Sequence, residues 1–449
     1  MFQLRKFGLK AFALRLSAVL GLLAISVTAQ GQSLPFVDKD IHMGVATCAG
    51  STCHGAVEPL KGVGVLQNEF ITWQRNDKHA KAYSVLLNER SKRIARNLGL
   101  KAAHTAPLCL DCHADNVPNE RRHRTFQITD GVTCEACHGG AGRWIGTHIS
   151  AAATHKVNID NGLYPSADPM SRARLCLSCH FGDETRFVTH RIMGAGHPRM
   201  SFELDTFTAI MPAHFVVDKD YRDRKGAWNG VQVWAIGQAM SVDILLDAIV
   251  DPKRGRDGIF PELVLFDCFS CHRSLNEQRW EPRESIGLGP GIPRISDANM
   301  IMMRIIAERV DSALADEFAQ RTVTLHKSTR AGSYGEMLDA AKALKKVLNR
   351  LMEKFAAHTF GKADVKALMA GVIADGLAGE YRDYPAAEQA TMALSAIVET
   401  MRNTGAINNS QFEALNAALL KSYAAVEKAE EYQAAMFVSA LKTFKAAMP

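Results

Sequence analysis

All ten cysteines of this 449-residue chain fall into pairs that close on a histidine. Four pairs have the spacing C-x-x-C-H: Cys109, Cys112 and His113; Cys134, Cys137 and His138; Cys176, Cys179 and His180; Cys268, Cys271 and His272. A fifth is widened to C-x4-C-H, at Cys48, Cys53 and His54. Two cysteines a short loop apart can reach the two vinyl groups on one edge of a porphyrin, and the histidine after the second is then delivered to the iron as an axial ligand. Chance supplies on the order of 0.01 regular matches in a chain of this composition. Zinc ribbons and thioredoxin-like pairs also use C-x-x-C, but a zinc site needs a second pair or further ligands at matching spacing, whereas here each pair carries its own histidine. The expectation is five covalently attached haem c groups. A chain wrapped around five porphyrins needs little apolar core of its own, because the macrocycles supply buried apolar surface.

The first residues place this chemistry in an exported compartment. Arg5, Lys6, Lys10 and Arg15 form a basic start, Leu16 to Val27 is an apolar run too short for a permanent anchor, and Val27, Thr28 and Ala29 offer small residues for cleavage. Residues 1–29 therefore read as a signal peptide cut after Ala29, and the mature protein as periplasmic, with no membrane span. Haem attachment to cysteine fits that compartment, and no cysteine is spare for a structural disulfide. The formal charge of +6 loses four signal-peptide cations and falls to +2 before haem propionates are counted. Nothing resembles the clustered basic face of a nucleic-acid binder.

Two regions follow. Residues 30–290 are rich in glycine, proline, asparagine and aspartate and carry every motif. Within them, residues 69–98 read as one helix with His79, Tyr83, Leu86, Leu87, Ile94 and Leu98 on one face and Gly99 as its stop. Residues 229–250 read as a helix apolar over a wide arc, core between haem clusters. From residue 295 to 449 the composition turns to alanine, leucine, methionine, lysine and glutamate. Helical periodicity spans 297–319, 333–357, 363–379, 385–403 and 409–446, with breaks at Gly332, Gly361, Pro385 and Gly405. That reads as a helical bundle, a candidate for docking or self-association.

Five histidines are proximal by motif, and eleven others remain. A bis-histidine iron passes electrons only, whereas a five-coordinate iron can bind and transform a small molecule. By their settings His79, His104, His148, His190 and His197 are the expected distal ligands. His79 lies on an apolar helix face, His104 and His148 lie close to motifs, and His190 and His197 sit in a segment whose glycines permit close approach to a ring. His42, His123, His155 and His214 rank below them. His326 and His358 in the bundle could cap an iron but read as surface or partly buried side chains, and Met193 and Met200 beside His197 read as core packing. Arg143, Arg191 and Arg199 are candidate propionate partners.

The run from Trp73 through Lys78, His79 and Tyr83, then Gly131-Val132-Thr133-Cys134-Glu135-Ala136-Cys137-His138-Gly139-Gly140, Ala195-Gly196-His197-Pro198 and Phe266-Asp267-Cys268-Phe269-Ser270-Cys271-His272 resemble the periplasmic multihaem c-type cytochromes related to the tetrahaem electron carrier of ammonia oxidation. The resemblance covers residues 40–280. It implies a mainly α, irregular multihaem cytochrome c fold, here followed by the carboxy-terminal helical bundle, with closely stacked haem pairs, mainly bis-histidine ligation, and His79 and His148 as distal ligands. The implied function is electron transfer between redox partner proteins. The fifth attachment site and the helical bundle depart from the pattern. The competing expectation is a reductase or oxidase of a small nitrogen or sulfur compound at one five-coordinate haem, with Arg121, Arg122, His123 and Arg124 as a basic cluster beside it.

Overall fold

Helices without strands follow from this sequence, and the computed structural model is mainly α with a carboxy-terminal helical region. It describes residues 33–449 apart from 63, 152, 273–282, 290–291 and 331–333. The expected signal peptide and the break at Gly332 lie outside the described residues. Among the described residues no β-strand forms, only isolated bridges such as His42 with Arg122 and Phe266 with Ile295.

The motif-bearing part is built of short helices. The single helix expected over 69–98 is broken into Glu69–Asn76, a 3-10 turn at His79–Lys81, Ala82–Val85 and Glu89–Asn97. Two side chains impose the breaks. Asp77 turns extended (ψ 131°) and accepts from the His79 backbone N–H, and Asn88 caps the last helix by accepting from Ser91 N. Gly99 ends that helix at φ +70°, as its position suggests. A small cluster of Leu86, Ala95, Ala103, Leu110 and Ala114 holds these pieces against the Pro107–His113 helix.

The long helices from residue 230 on are α1 (Gly230–Val250), α2 (Ala298–Val310), α3 (Ser312–Ser328), α4 (Tyr334–Ala357), α5 (Lys362–Leu377), α6 (Tyr384–Asn403), α7 (Asn409–Ala425) and α8 (Ala434–Ala447). The expected segment 297–319 breaks at Asp311, whose side chain accepts from Leu314 N to start α3. The expected segment 409–446 breaks between Ala425 and Ala434. Pro385 lies in the first turn of α6 behind the Asp383 cap, where a missing N–H costs nothing.

Helix α1 is the surprise. It runs through the main core, packed with α2, α4 and α6, while one flank meets the Pro169–His180 helix through Ala173, Leu177, Val233, Ile236 and Met240. Gly237 makes its crossing with the Leu204–Ile210 helix possible, because a Cβ there would lie 2.6 Å from Leu204 Cβ. By length and composition the stretch Lys219–Val250 is long and apolar enough to cross a membrane, contrary to the sequence expectation, but 78% of that window is buried inside the protein. The apolar arc is spent on the bundle.

Candidate haem sites

Each motif histidine faces a second histidine brought from elsewhere in the chain. The ring centres lie 6.0 Å apart for His54 and His148, 6.1 Å for His180 and His79, and 6.4 Å for His113 and His197. They lie 6.3 Å apart for His138 and His214, and 6.1 Å for His272 and His190. Two imidazoles bonded through Nε2 to one metal, at about 2 Å each and in line, put their ring centres roughly 6 Å apart. The residues therefore fit bis-histidine haem at every motif.

Four of the five histidines expected opposite a motif are in these pairs: His79, His148, His190 and His197. His104 is not, since its ring lies 6.5 Å from Tyr83. Its place is taken by His214, in the loop after the Leu204–Ile210 helix. Proline, alanine and phenylalanine surround His214, and no local pattern marks it in the sequence.

Hydrogen bonds aim several of the rings. His54 Nδ1 bonds Glu69 Oε2 at 2.9 Å, and Glu69 is fixed in turn by Leu66 N and Gln67 N. His79 Nδ1 bonds Asp77 Oδ1 at 2.9 Å. His113 Nδ1 donates to Ala82 O at 3.2 Å, and His197 Nδ1 to Pro198 O at 2.8 Å. A proton committed at Nδ1 leaves the Nε2 lone pair for a metal and fixes the ring plane. Burial, with His214 nearby, pushes His138 down to about 3, and burial with His79 nearby pushes His180 down to about 4, so both rings are neutral at physiological pH. The Glu69 and Asp77 carboxylates hold His54 and His79 above the usual imidazole range.

The cysteines are all free thiols, half-buried except for the exposed Cys53 and Cys271. Spacing alone suggests that the motifs at 109 and 134 are neighbours. The chain beside them does meet, Asp115 N donating to Gly131 O at 2.9 Å, while the thiol contacts join other motifs: Cys48 lies against Cys134, and Cys112 against Cys179. Gly131 lets motif three approach the His79 turn, since its φ is +81° and a Cβ there would lie 2.7 Å from His79 O. Motif five is tied to the bundle by a buried ionic chain. Asp267, next to Cys268, pairs with Arg294, which reaches Asp383 at 2.9 Å; Arg283 joins Asp383 to Asp297, the latter at 2.7 Å. A cavity of about 120 Å³ bordered by His180, Phe187, Met193, Met200, Arg199 and Cys268 lies between motifs four and five.

Other candidates are committed elsewhere. Arg143 pairs with Asp40, Arg191 with Asp257 at 3.4 Å, and Arg199 with both oxygens of Glu388 at 3.0 and 2.9 Å. His42, Asp115 and Glu135 lie buried within 4.8 Å of one another. They pin loops together: His42 Nδ1 and Thr133 Oγ1 both bond Asp115, and Glu135 accepts from Met43 N, Gly44 N and Ala141 N. In the basic run, Arg121 donates to Phe36 O, Arg122 to Val117 O, and His123 bonds Thr125. The bundle histidines face carboxylates: His326 lies 3.5 Å from Asp297, and His358 lies 3.4 Å from Asp364.

Residues 47–139, which hold the first three motifs, match the family model described as cytochrome c554 and c-prime. That segment is similar to a family of multihaem c-type cytochromes. Covalently bound haem c, electron transfer and redox partners come with that family. Neither the curated proteins nor the solved structures give a match to this chain.

Proposed function

We propose that the chain is a periplasmic pentahaem electron carrier, exported by a signal peptide cut after Ala29, in which every iron has two histidine ligands. The pairs are His54 with His148, His113 with His197, His138 with His214, His180 with His79 and His272 with His190. Cys48, Cys53, Cys109, Cys112, Cys134, Cys137, Cys176, Cys179, Cys268 and Cys271 carry the thioether bonds. The five facing histidine pairs carry this reading, because they leave no motif histidine without a partner. Haem iron between two imidazoles exchanges single electrons and offers no position to a substrate, which favours a carrier over a reductase or oxidase.

The chain's own residues do the rest. The cysteine pairs fix each group in place. Glu69, Asp77, Ala82 O and Pro198 O hold rings in one orientation and make them stronger donors. The contacts of Cys48 with Cys134 and of Cys112 with Cys179 keep sites one and three, and sites two and four, side by side.

Electron paramagnetic resonance of the oxidised protein tests the proposal, with low-spin ferric signal expected from all five sites. A high-spin fraction worth one haem in five would return the reductase reading. In H214A one site turns high-spin, whereas H104A leaves the spectrum unchanged; the reverse outcome would restore His104 as a ligand. Mass spectrometry of the mature protein should show five added haem masses on a chain starting at Gln30.

A further inference from the structure

One stretch of this protein is strongly basic. Between residues 75 and 108 the chain carries Arg75, Lys78, Lys81, Arg90, Lys92, Arg93, Arg96 and Lys101 against only Asp77 and Glu89, a net +6 that equals the formal charge of all 449 residues together. All eight cations are exposed, and Asp77 is buried beneath them, bonded to His79. Of the eight, only Lys92 has an ion-pair partner among the described residues, Glu89 at 2.8 Å. The rest of the charge is uncompensated locally.

These residues sit on the short helices that pack around Leu86, Ala95, Ala103 and Leu110, the cluster that also holds Cys109. The same surface exposes apolar side chains among the cations: Val85, Leu87 and Leu108 are each exposed by 43–45%. Arg90 donates to Gly196 O at 2.9 Å, and Asn97 to Ala195 O at 3.0 Å, so the basic helix Glu89–Asn97 is clamped to the segment that supplies His197 opposite His113. An exposed basic stretch that also carries exposed apolar side chains, tied by these hydrogen bonds to a candidate haem site, suits transient docking: the charges speed encounter and orient the partner, and the apolar side chains supply a small contact.

We infer that the surface formed by residues 75–108 is the docking face for a small acidic redox protein, which exchanges electrons with the site at His113 and His197. The inference rests on the electron-carrier reading and adds where one partner binds and what its charge is.

Reduced plant-type ferredoxin, a small acidic one-electron donor, is a suitable probe, with stopped-flow absorbance of the full-length holoprotein as the readout. The second-order rate constant should fall about tenfold as salt rises from about 20 to about 200 mM. At low salt the triple variant R93E/R96E/K101E should lose a similar factor. The control K421E/K442E, on the bundle, should match the wild type, and the low-spin spectrum of every variant should be unchanged. A triple variant as fast as the wild type, or a control variant equally slowed, overturns the inference. So does a triple variant that keeps the ferredoxin rate but loses binding to vesicles containing phosphatidylserine, because the face then belongs to a lipid surface. If dithionite fails to reduce the protein at all, the carrier reading fails and takes the docking face with it.

Discussion

Residues 34–228 and residues 231–444 are of similar length, yet among the described residues the first holds 16 buried apolar side chains and the second 64. The bundle half is an ordinary hydrophobic fold, with Phe318, Phe355, Phe437 and Phe444 fully enclosed. The motif half has only small clusters such as the one around Leu86 and Leu110. It is organised instead by facing histidine pairs, four wholly within it and the fifth reaching to His272, whose members lie between 76 and 101 residues apart in sequence. One half is held by burial of its own side chains, the other by what its histidines and cysteines grip.

The largest effect expected from this contrast comes from removing a grip. In C134A/C137A, hydrogen exchange should show residues 34–165 losing protection together, while α4 to α8 keep theirs; equal loss in both halves would erase the distinction. Next is the ionic chain under motif five. R283M leaves Asp297 buried without its guanidinium and Asp383 with Arg294 alone, at a cost of about 3–5 kcal/mol read from denaturant unfolding of the bundle. L348A, in the fully buried face of α4, should cost about 2–5 kcal/mol and leave the haem spectrum unmoved.

The smallest effect is one of pH. Burial, together with the neighbouring Glu203, raises the Asp205 carboxyl to about 7. The folded chain therefore binds this proton more tightly than the unfolded chain does. The group's contribution is most favourable below about pH 4 and is lost as pH rises through 7. D205N should gain on the wild type by about 2–3 kcal/mol between pH 5 and pH 8, and a constant difference across that range would contradict the assignment.

How much was legible from sequence follows the same division. The motifs announce themselves because attachment chemistry fixes their spacing, and His79, His148, His190 and His197, which face motif histidines, are marked in the sequence by glycines, helix faces or family resemblance. His214, which faces His138, carries no such mark, whereas His104 lies near a motif along the chain and faces Tyr83 in space. The helix expected over 69–98 failed because Asp77 serves its neighbour's ring and backbone in preference to helical geometry. In the bundle, periodicity located the helices, but a capping aspartate at 311 looks like any other polar residue on a helix face. Helix α1 was recognised as buried, although periodicity does not say against what.

Under the proposed export and ligand pairing, the placement of the histidines also sets an order of events. A chain that emerges amino terminus first already has His79 outside when motif four arrives, and His190 outside when motif five arrives. Motifs one, two and three must wait for His148, His197 and His214. Cofactor loading on this polypeptide thus begins with provisional sites, and the third is completed only after more than seventy further residues have crossed.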